Sequence, residues 1–597
     1  MAKILIKFLD DLSPSEYKLR DLPRKPNGLY NLAFNEYGQE VKRAGYSGYN
    51  TSLGSGKVLG LHRFYKQLTS DKEFLCSWGT SLYKLDDDSP HEATALTDCP
   101  TLEANADTYF ADFANHCYIV NGVNTMMKYN MTNVRTVGIT VPGTPTFNTT
   151  VDGSLTAGTY YFKYTFVDED GYESNGGTAS AAMTAAATPN DGIKINIAIC
   201  SDDDKITKRR IYRTTVGGSI YYYDGEVADN STLTYNSTIS DALISLKSVL
   251  HTDHNAPPGA PSLVVKRLSR INIAVDDDLY VSKNYDKTTG VRSVEYFPPT
   301  NYYPTGNGQK ITGLIEQLDN LPVFTEDTIE RLVGTDEDNF EYSSAHQEDG
   351  CIAKRSAVNC KNYVVYLAFN GIYIFDGVNA TAIDVASAGR LNKYIRDNIN
   401  YTYAHLSCAA YYDNKYLLCI PTGTGTTHTV PNLTIYYDFS TGGYGIYSFA
   451  FSCFCKFDKG GDGLSLKGGS NTIGQIYKVF NGFDDDGSAI TAYDDMEPLD
   501  FGKPEVFKQF YSIFIKVKST TATILTMNYT LDNESEVTSQ TKTIIANKTK
   551  WYRVGLGEGG IRGRAIQPRP LISDKYYFQI EGLAICYDEE AFAEEIE

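Results

Sequence analysis

The stretch that most constrains this chain runs from Cys351 to Asp376, CIAKRSAVNCKNYVVYLAFNGIYIFD. Val364 to Phe369 is a short run of apolar, β-branched and aromatic residues; Asn370-Gly371 follows, and Ile372 to Phe375 forms a second such run. Two strand-like runs around Asn-Gly predict a β-hairpin, because a type I′ turn needs positive φ at both central residues. A polar turn followed by an aliphatic–tyrosine pair recurs at Leu82-Tyr83, Leu279-Tyr280 and Ile476-Tyr477, with Tyr416 to Cys419 as a related strand. The repetition predicts a radially repeated β-sheet of which this hairpin is one unit.

At 597 residues the chain exceeds what one hydrophobic core supports, so two to four domains are expected. Its 50 Gly, 46 Tyr and 27 Phe suit strands, where a tyrosine ring packs on the pleated surface while its hydroxyl stays wet. The best helical pattern is Ser387 to Ile399, with Leu391, Tyr394, Ile395 and Asn398 on one face. The class is all-β.

Residues 1–140 read as the first part of a β-propeller, with an N-terminal strand marked by Ile4, Ile6 and Phe8. Val58 to Leu85 and Thr108 to Tyr129 look like consecutive blades, the second with Asn121-Gly122 as its hairpin signal. Prolines between Val141 and Phe147 break the pattern, and residues 141–260 form an inserted β-sandwich. There Tyr160, Phe162, Tyr164 and Phe166 alternate before a turn at Asp168 to Gly171, and Gly217-Gly218 marks another turn. Residues 261–500 resume the propeller, and 501–597 form a small C-terminal β domain. Setting aside the two candidate sandwiches leaves about 380 residues, or seven to nine blades at roughly 40–50 residues each.

A net charge of −19 argues against tight nucleic-acid binding, which phosphate neutralisation drives. Basic clusters at Lys208-Arg209-Arg210 and at Arg562, Arg564 and Arg569 read as solvated or interface arginines. The 11 cysteines are scattered, which does not suggest a disulfide framework; Cys453 and Cys455 alternate onto one strand face and read as buried thiols. The N-terminal apolar run is too short for a signal peptide or a membrane span, so assembly in a reducing cytoplasm is expected. Asp-rich stretches at Asp86 to Asp88, Asp202 to Asp204, Asp276 to Asp278 and Asp484 to Asp486 lack calcium-loop spacing and read as turns.

The order of segments resembles the β-propeller tail proteins of tailed bacteriophages, and among them the nozzle, packaged-DNA stabilisation or tail-hub proteins of short-tailed phages. The carrying stretches are NLAFNEYGQEVKRAGY, VLGLHRFY with GTSLYKLD, AGTYYFKYTFVDEDGYES, ITGLIEQLDNLPVFTEDTIERLVG, the opening hairpin and DFGKPEVFKQFYSIFIKVKS. The third of these resembles an immunoglobulin- or fibronectin type III-like module. The resemblance implies an all-β propeller with such an insertion and a C-terminal β domain. It further implies a virion protein: a homo-oligomeric ring, hexameric in that family, below the portal and adaptor. Such a ring helps retain packaged DNA, passes it on ejection without sequence-specific binding, and carries attachment points for fibres or spikes. An acidic wall suits that task, because it repels the polyanion and lets it slide.

Two other readings stand beside it. A receptor-binding or adhesin protein of the tail would use the inserted sandwich as its binding module. A propeller glycan hydrolase would need two placed carboxylates, or a tyrosine nucleophile among arginines. The S-x-D-x-G-x-T-W turn of sialidase blades is missing, only Trp78 and Trp551 could stack on sugars, and no H-E-x-x-H, G-x-S-x-G or P-loop motif occurs. The sequence therefore predicts no catalytic, cofactor or metal residues, no cofactor, and no enzymatic role.

Overall fold

The structure, a computed structural model, describes residues 5–6, 24–201, 205–285, 293–318, 320–385, 389–458, 463–532 and 537–590. It is an all-β propeller with an inserted β-sandwich and a C-terminal β domain. Six antiparallel four-stranded sheets stand as separate blades, and a seventh quartet, 408–447, opens a nine-stranded sheet. In chain order the seven blades of the described residues are 58–95, 109–136, 263–304, 313–347, 358–382, 408–447 and 453–479 with 46–48; they are called blades 1 to 7 below.

Each neighbouring pair of blades shares a hydrophobic core. Phe64, Leu75 and Leu82 of blade 1 meet Cys117, Ile119 and Met127 of blade 2, and the series continues round to Cys453, Phe457 and Ile476 of blade 7 against Val58 and Phe74 of blade 1. Fully burying one such side chain contributes about 1.5–3 kcal/mol, so the seven seams supply most of the ring's cohesion. The aliphatic–tyrosine pairs mark one place in this architecture. Leu82, Leu279, Ile372 and Ile476 are all fully buried on the third strands of blades 1, 3, 5 and 7, while their tyrosines are only half-buried.

The ring is closed by its N-terminal side. Tyr46–Gly48 pairs antiparallel with Ile476–Val479 and becomes the fourth strand of blade 7. This removes an open edge that would otherwise invite mispairing.

The opening hairpin is present as Tyr363–Ala368 and Gly371–Phe375 in blade 5, but its turn differs from the expected one. Ala368 pairs with Gly371, so the loop residues are Phe369 and Asn370. Positive φ falls on Gly371 alone, at 124°, which is incompatible with a type I′ turn. The helix Arg390–Asn398 packs against this turn: a Cβ on Gly371 would stand 2.4 Å from Asn392. The Asn392 side chain accepts from Ile372 N–H at 2.8 Å and donates to Ile372 C=O at 3.2 Å. Leu391 and Ile395 of that helix are buried as expected; Ser387 lies outside the described residues.

The insertion leaves after blade 2 and returns at Leu263. Its strands lie between Thr146 and Ser237 in two three-stranded sheets and a two-stranded pair. Tyr160, Phe162, Tyr164 and Phe166 all point into its core, which continues into Tyr118 and Val120 of blade 2 and Ile271 and Ile273 of blade 3.

The domain boundaries at the two ends of the chain need correction. Residues 24–42, expected in the propeller, belong to the C-terminal sandwich. Glu40–Lys42 pairs with Phe578–Glu589, and Arg24–Tyr30 lies between Tyr444–Tyr447 of blade 6 and Ile490–Met496. The sandwich therefore begins at 490, before the expected 501, and one of its sheets is continuous with blade 6. Leu29 and Leu32 are buried among Phe510, Ile513 and Ile585, so apolar burial recruits the N-terminal strands.

Candidate functional site

Inner strands of all seven blades surround a cavity of about 250 Å³ on the propeller axis. Arg355, at the entry to blade 5, sits across it. Its guanidinium donates to Ser452 C=O at 3.1 Å, to Thr108 C=O at 3.1 Å, and to Leu59 C=O, and it pairs with Asp107 at 3.4 Å. Burial alone would loosen its proton, but Asp107 and Tyr109 outweigh burial and raise its pKa. Burial likewise opposes ionisation of Asp107, yet Arg355 and Lys57 hold its carboxyl below the ordinary range. One cation thus ties blades 5, 1, 2 and 7 together at the axis, and its side chain crosses the passage.

A second charged centre joins the insertion to the ring. Lys128 of blade 2 is 2% exposed, and its ammonium lies 2.9 Å from Glu295, 3.2 Å from Asp168 and 2.8 Å from Asp170. Burial disfavours the ammonium, and the three carboxylates more than reverse that, raising its pKa. Asp168 also accepts from the N–H groups of Asp170 and Tyr172 at 3.0 and 2.8 Å, fixing the hairpin turn predicted at Asp168 to Gly171. Beside this centre is a cavity of about 590 Å³ between insertion and propeller. On its wall Glu173 accepts from Thr165, Tyr212 and Arg210 at 2.6, 2.7 and 2.7 Å.

The C-terminal sandwich is tied down in the same manner. Arg24 bridges Glu40 and Asp494 at 2.7 and 2.8 Å. Arg43 pairs with Asp485 at 2.6 Å, and Lys42 with Asp574. Burial, reinforced by Asp494, pushes the Glu40 carboxyl well up. A groove of about 700 Å³ runs between this sandwich and blades 6 and 7, lined by Phe34, Lys42, Tyr411, Tyr412, Lys415 and Lys456 among others. Most of its cations are already paired. Lys415 faces Asp413 and Asp438, and Lys456 lies 5.4 Å from the Tyr411 ring centroid.

The stretches singled out in sequence take structural places. Arg209 is fully buried and donates to Ala198 C=O and to Asp229, Arg210 pairs with Glu173, and Lys208 with Glu226. Arg562 pairs with Glu590; Arg562 and Arg564 lie over Phe507, and Arg569 over Tyr493. Cys453 is buried and Cys455 half-buried, both against the seam between blades 7 and 1. Asp87 pairs with Arg63, Asp276 with Lys310, and Asp484 accepts from Gly487 N–H; Asp202 to Asp204 lie outside the described residues. Sequence reading passed over Arg355, Lys128, and the trio His251, Asp253 and His254, whose signal is the tetrapeptide HTDH in a linker. No helix among the described residues is long and apolar enough to cross a membrane.

No family model matches the chain, and no curated protein does. Among solved structures, one similar chain is the exo-β-1,3-galactanase of Phanerochaete chrysosporium in complex with galactose. That match covers 84% of this chain and 100% of the other, with 6% identity and a TM-score of 0.16. Another is PorZ, a bacterial surface component of the type-IX secretion system of Porphyromonas gingivalis, matched over 85% of this chain and 46% of that one, at 9% identity and a TM-score of 0.23. At these scores neither match assigns an activity, substrate or partner to this chain. The expectation of no enzymatic role is nevertheless corrected and not carried forward, because a structure matched along 84% of the chain is itself an enzyme, the galactanase.

Proposed function

We propose that the chain is a structural subunit of a phage tail nozzle or hub, a homo-oligomeric ring that extends the DNA conduit below portal and adaptor. The observation that carries this reading is the fusion of three β domains into one body. The insertion shares its hydrophobic core with blades 2 and 3, and the C-terminal sandwich shares a sheet with blade 6. Lys128 pairs with Asp168 across the first joint, and Arg43, next to the sandwich strand Glu40–Lys42, donates to Ser448 beside blade 6 across the second. A subunit that must hold its place around pressurised DNA needs such stiffness.

Arg355 spans the propeller axis and the space left there is only about 250 Å³, so in this reading the DNA path is framed by several subunits and does not thread one propeller. The net charge of −19 suits a wall that DNA slides past. Virion assembly, contact with the adaptor and attachment of fibres or spikes follow from the same reading. Native mass spectrometry of the purified chain tests it: a species of six chain masses is expected. A monomer or trimer that adheres to host cells would instead favour a receptor-binding protein.

A further inference from the structure

The linker that returns the chain from the insertion to blade 3 carries His251, Asp253 and His254 within four residues. One nitrogen from each ring and one carboxylate oxygen lie within 4.8 Å of one another. Both imidazoles line the cavity of about 590 Å³ between insertion and propeller. The rings are stacked, 4.9 Å apart at 19°, and His254 stacks in turn on Tyr296 at 3.9 Å and 5°. Tyr296 is itself pinned, because its hydroxyl accepts from Glu173 N–H at 2.7 Å. The linker backbone is held by His254 N–H donating to the Asn175 side chain at 3.0 Å and by Phe297 N–H donating to Asn255 C=O at 2.9 Å.

Two polar atoms of this trio are left over. Nδ1 of His254 and Oδ1 of Asp253 are buried and have no hydrogen-bond partner. Lys283 occupies only the other carboxylate oxygen, Oδ2. Leaving such groups buried and unpaired is costly, and native proteins do so mainly where a water, an ion or a ligand completes the set.

We propose that His251, Asp253 and His254 bind a divalent transition-metal ion, zinc by the character of the donors, held by the return linker at the edge of the cavity between insertion and propeller. Two imidazoles and a carboxylate form a three-ligand set for tetrahedral zinc, with a fourth position open to the cavity and filled by water. Lys283 on Asp253 Oδ2 serves as the outer partner that orients the ligating carboxylate. Asp170 and Glu173 on the same cavity wall add negative potential, and Arg210 offsets part of it.

In a second trio, His62, Asp112 and Cys117, the ligand atoms likewise lie within 4.8 Å of one another, but its groups are engaged. His62 Nε2 lies 2.6 Å from Asp112, whose second oxygen accepts from Tyr65 N–H, and burial holds the fully buried Cys117 thiol protonated. It therefore serves as the control.

The test is titration of the full chain, stripped by dialysis against chelator, with zinc chloride alone in a calorimeter, and with cobalt chloride as a spectroscopic reporter of tetrahedral geometry. One zinc per chain is expected. H251A and H254F should each weaken binding by at least about tenfold, while H62A leaves it unchanged. H254F keeps a ring on Tyr296, and its thermal unfolding in chelator should match that of wild type, which separates ligand loss from misfolding. Absence of zinc binding by the wild-type chain, or unchanged binding by H251A and H254F, would overturn the proposal.

Discussion

Single side chains placed where seams converge carry much of this structure's order. Arg355 supplies donors to three backbone carbonyls and a charge to Asp107. Arg355→Met should therefore cost about 3–5 kcal/mol, because it removes the shared donor from three buried carbonyls and leaves Asp107 with Lys57 alone. Denaturant unfolding should show a lower midpoint at an unchanged slope. Lys467 presents the opposite case. It is 4% exposed, and its ammonium lies 4.5 Å from the centroid of Tyr49 and 4.7 Å from that of Phe457. Burial, with repulsion from Lys478, lowers its pKa to about 8. The unfolded chain binds that proton up to about pH 10.4, so the penalty is fully present below about 8 and fades as pH rises between the two values. Lys467→Met should raise the melting temperature at neutral pH and flatten its rise through that alkaline window, as read by scanning calorimetry.

At the scale of elements, short-range patterns in the sequence were reliable where partners are sequence neighbours. The aliphatic–tyrosine pairs became third strands of blades, and the Tyr160 to Phe166 alternation became a buried strand face, because hairpin pairing and period-two burial are local properties. The Asn370-Gly371 reading located the hairpin but misplaced its turn: Gly371 pairs with Ala368 and packs against Asn392 on a helix that follows later, a contact no local pattern shows. Gly371→Ala should cost about 1–3 kcal/mol, measured by equilibrium unfolding, through its φ of 124° and its contact with Asn392. The closing strand Tyr46–Gly48 and the sandwich strands Arg24–Tyr30 and Glu40–Lys42 find partners more than 400 residues away. No local pattern specifies such a register. The charged centres were hidden for a related reason: Lys128 stands in an ordinary-looking MMKY, and its three carboxylates come from other elements.

For the whole molecule, the consequence is a propeller and two sandwiches joined through shared cores and a shared sheet. Lys128→Met should uncouple the insertion by removing the one cation that Glu295, Asp168 and Asp170 share. A loss of about 3–5 kcal/mol is expected, with faster proteolysis of the linkers around 141 and 255. The most direct measurement of the central proposal is electron microscopy of the purified full-length chain, imaged as particles and averaged. The account predicts closed six-fold rings whose central passage is bordered by all six copies, with every propeller axis crossed by side chains and an acidic inner wall. Rings with a net basic inner wall, or isolated monomers and trimers in place of rings, would contradict it.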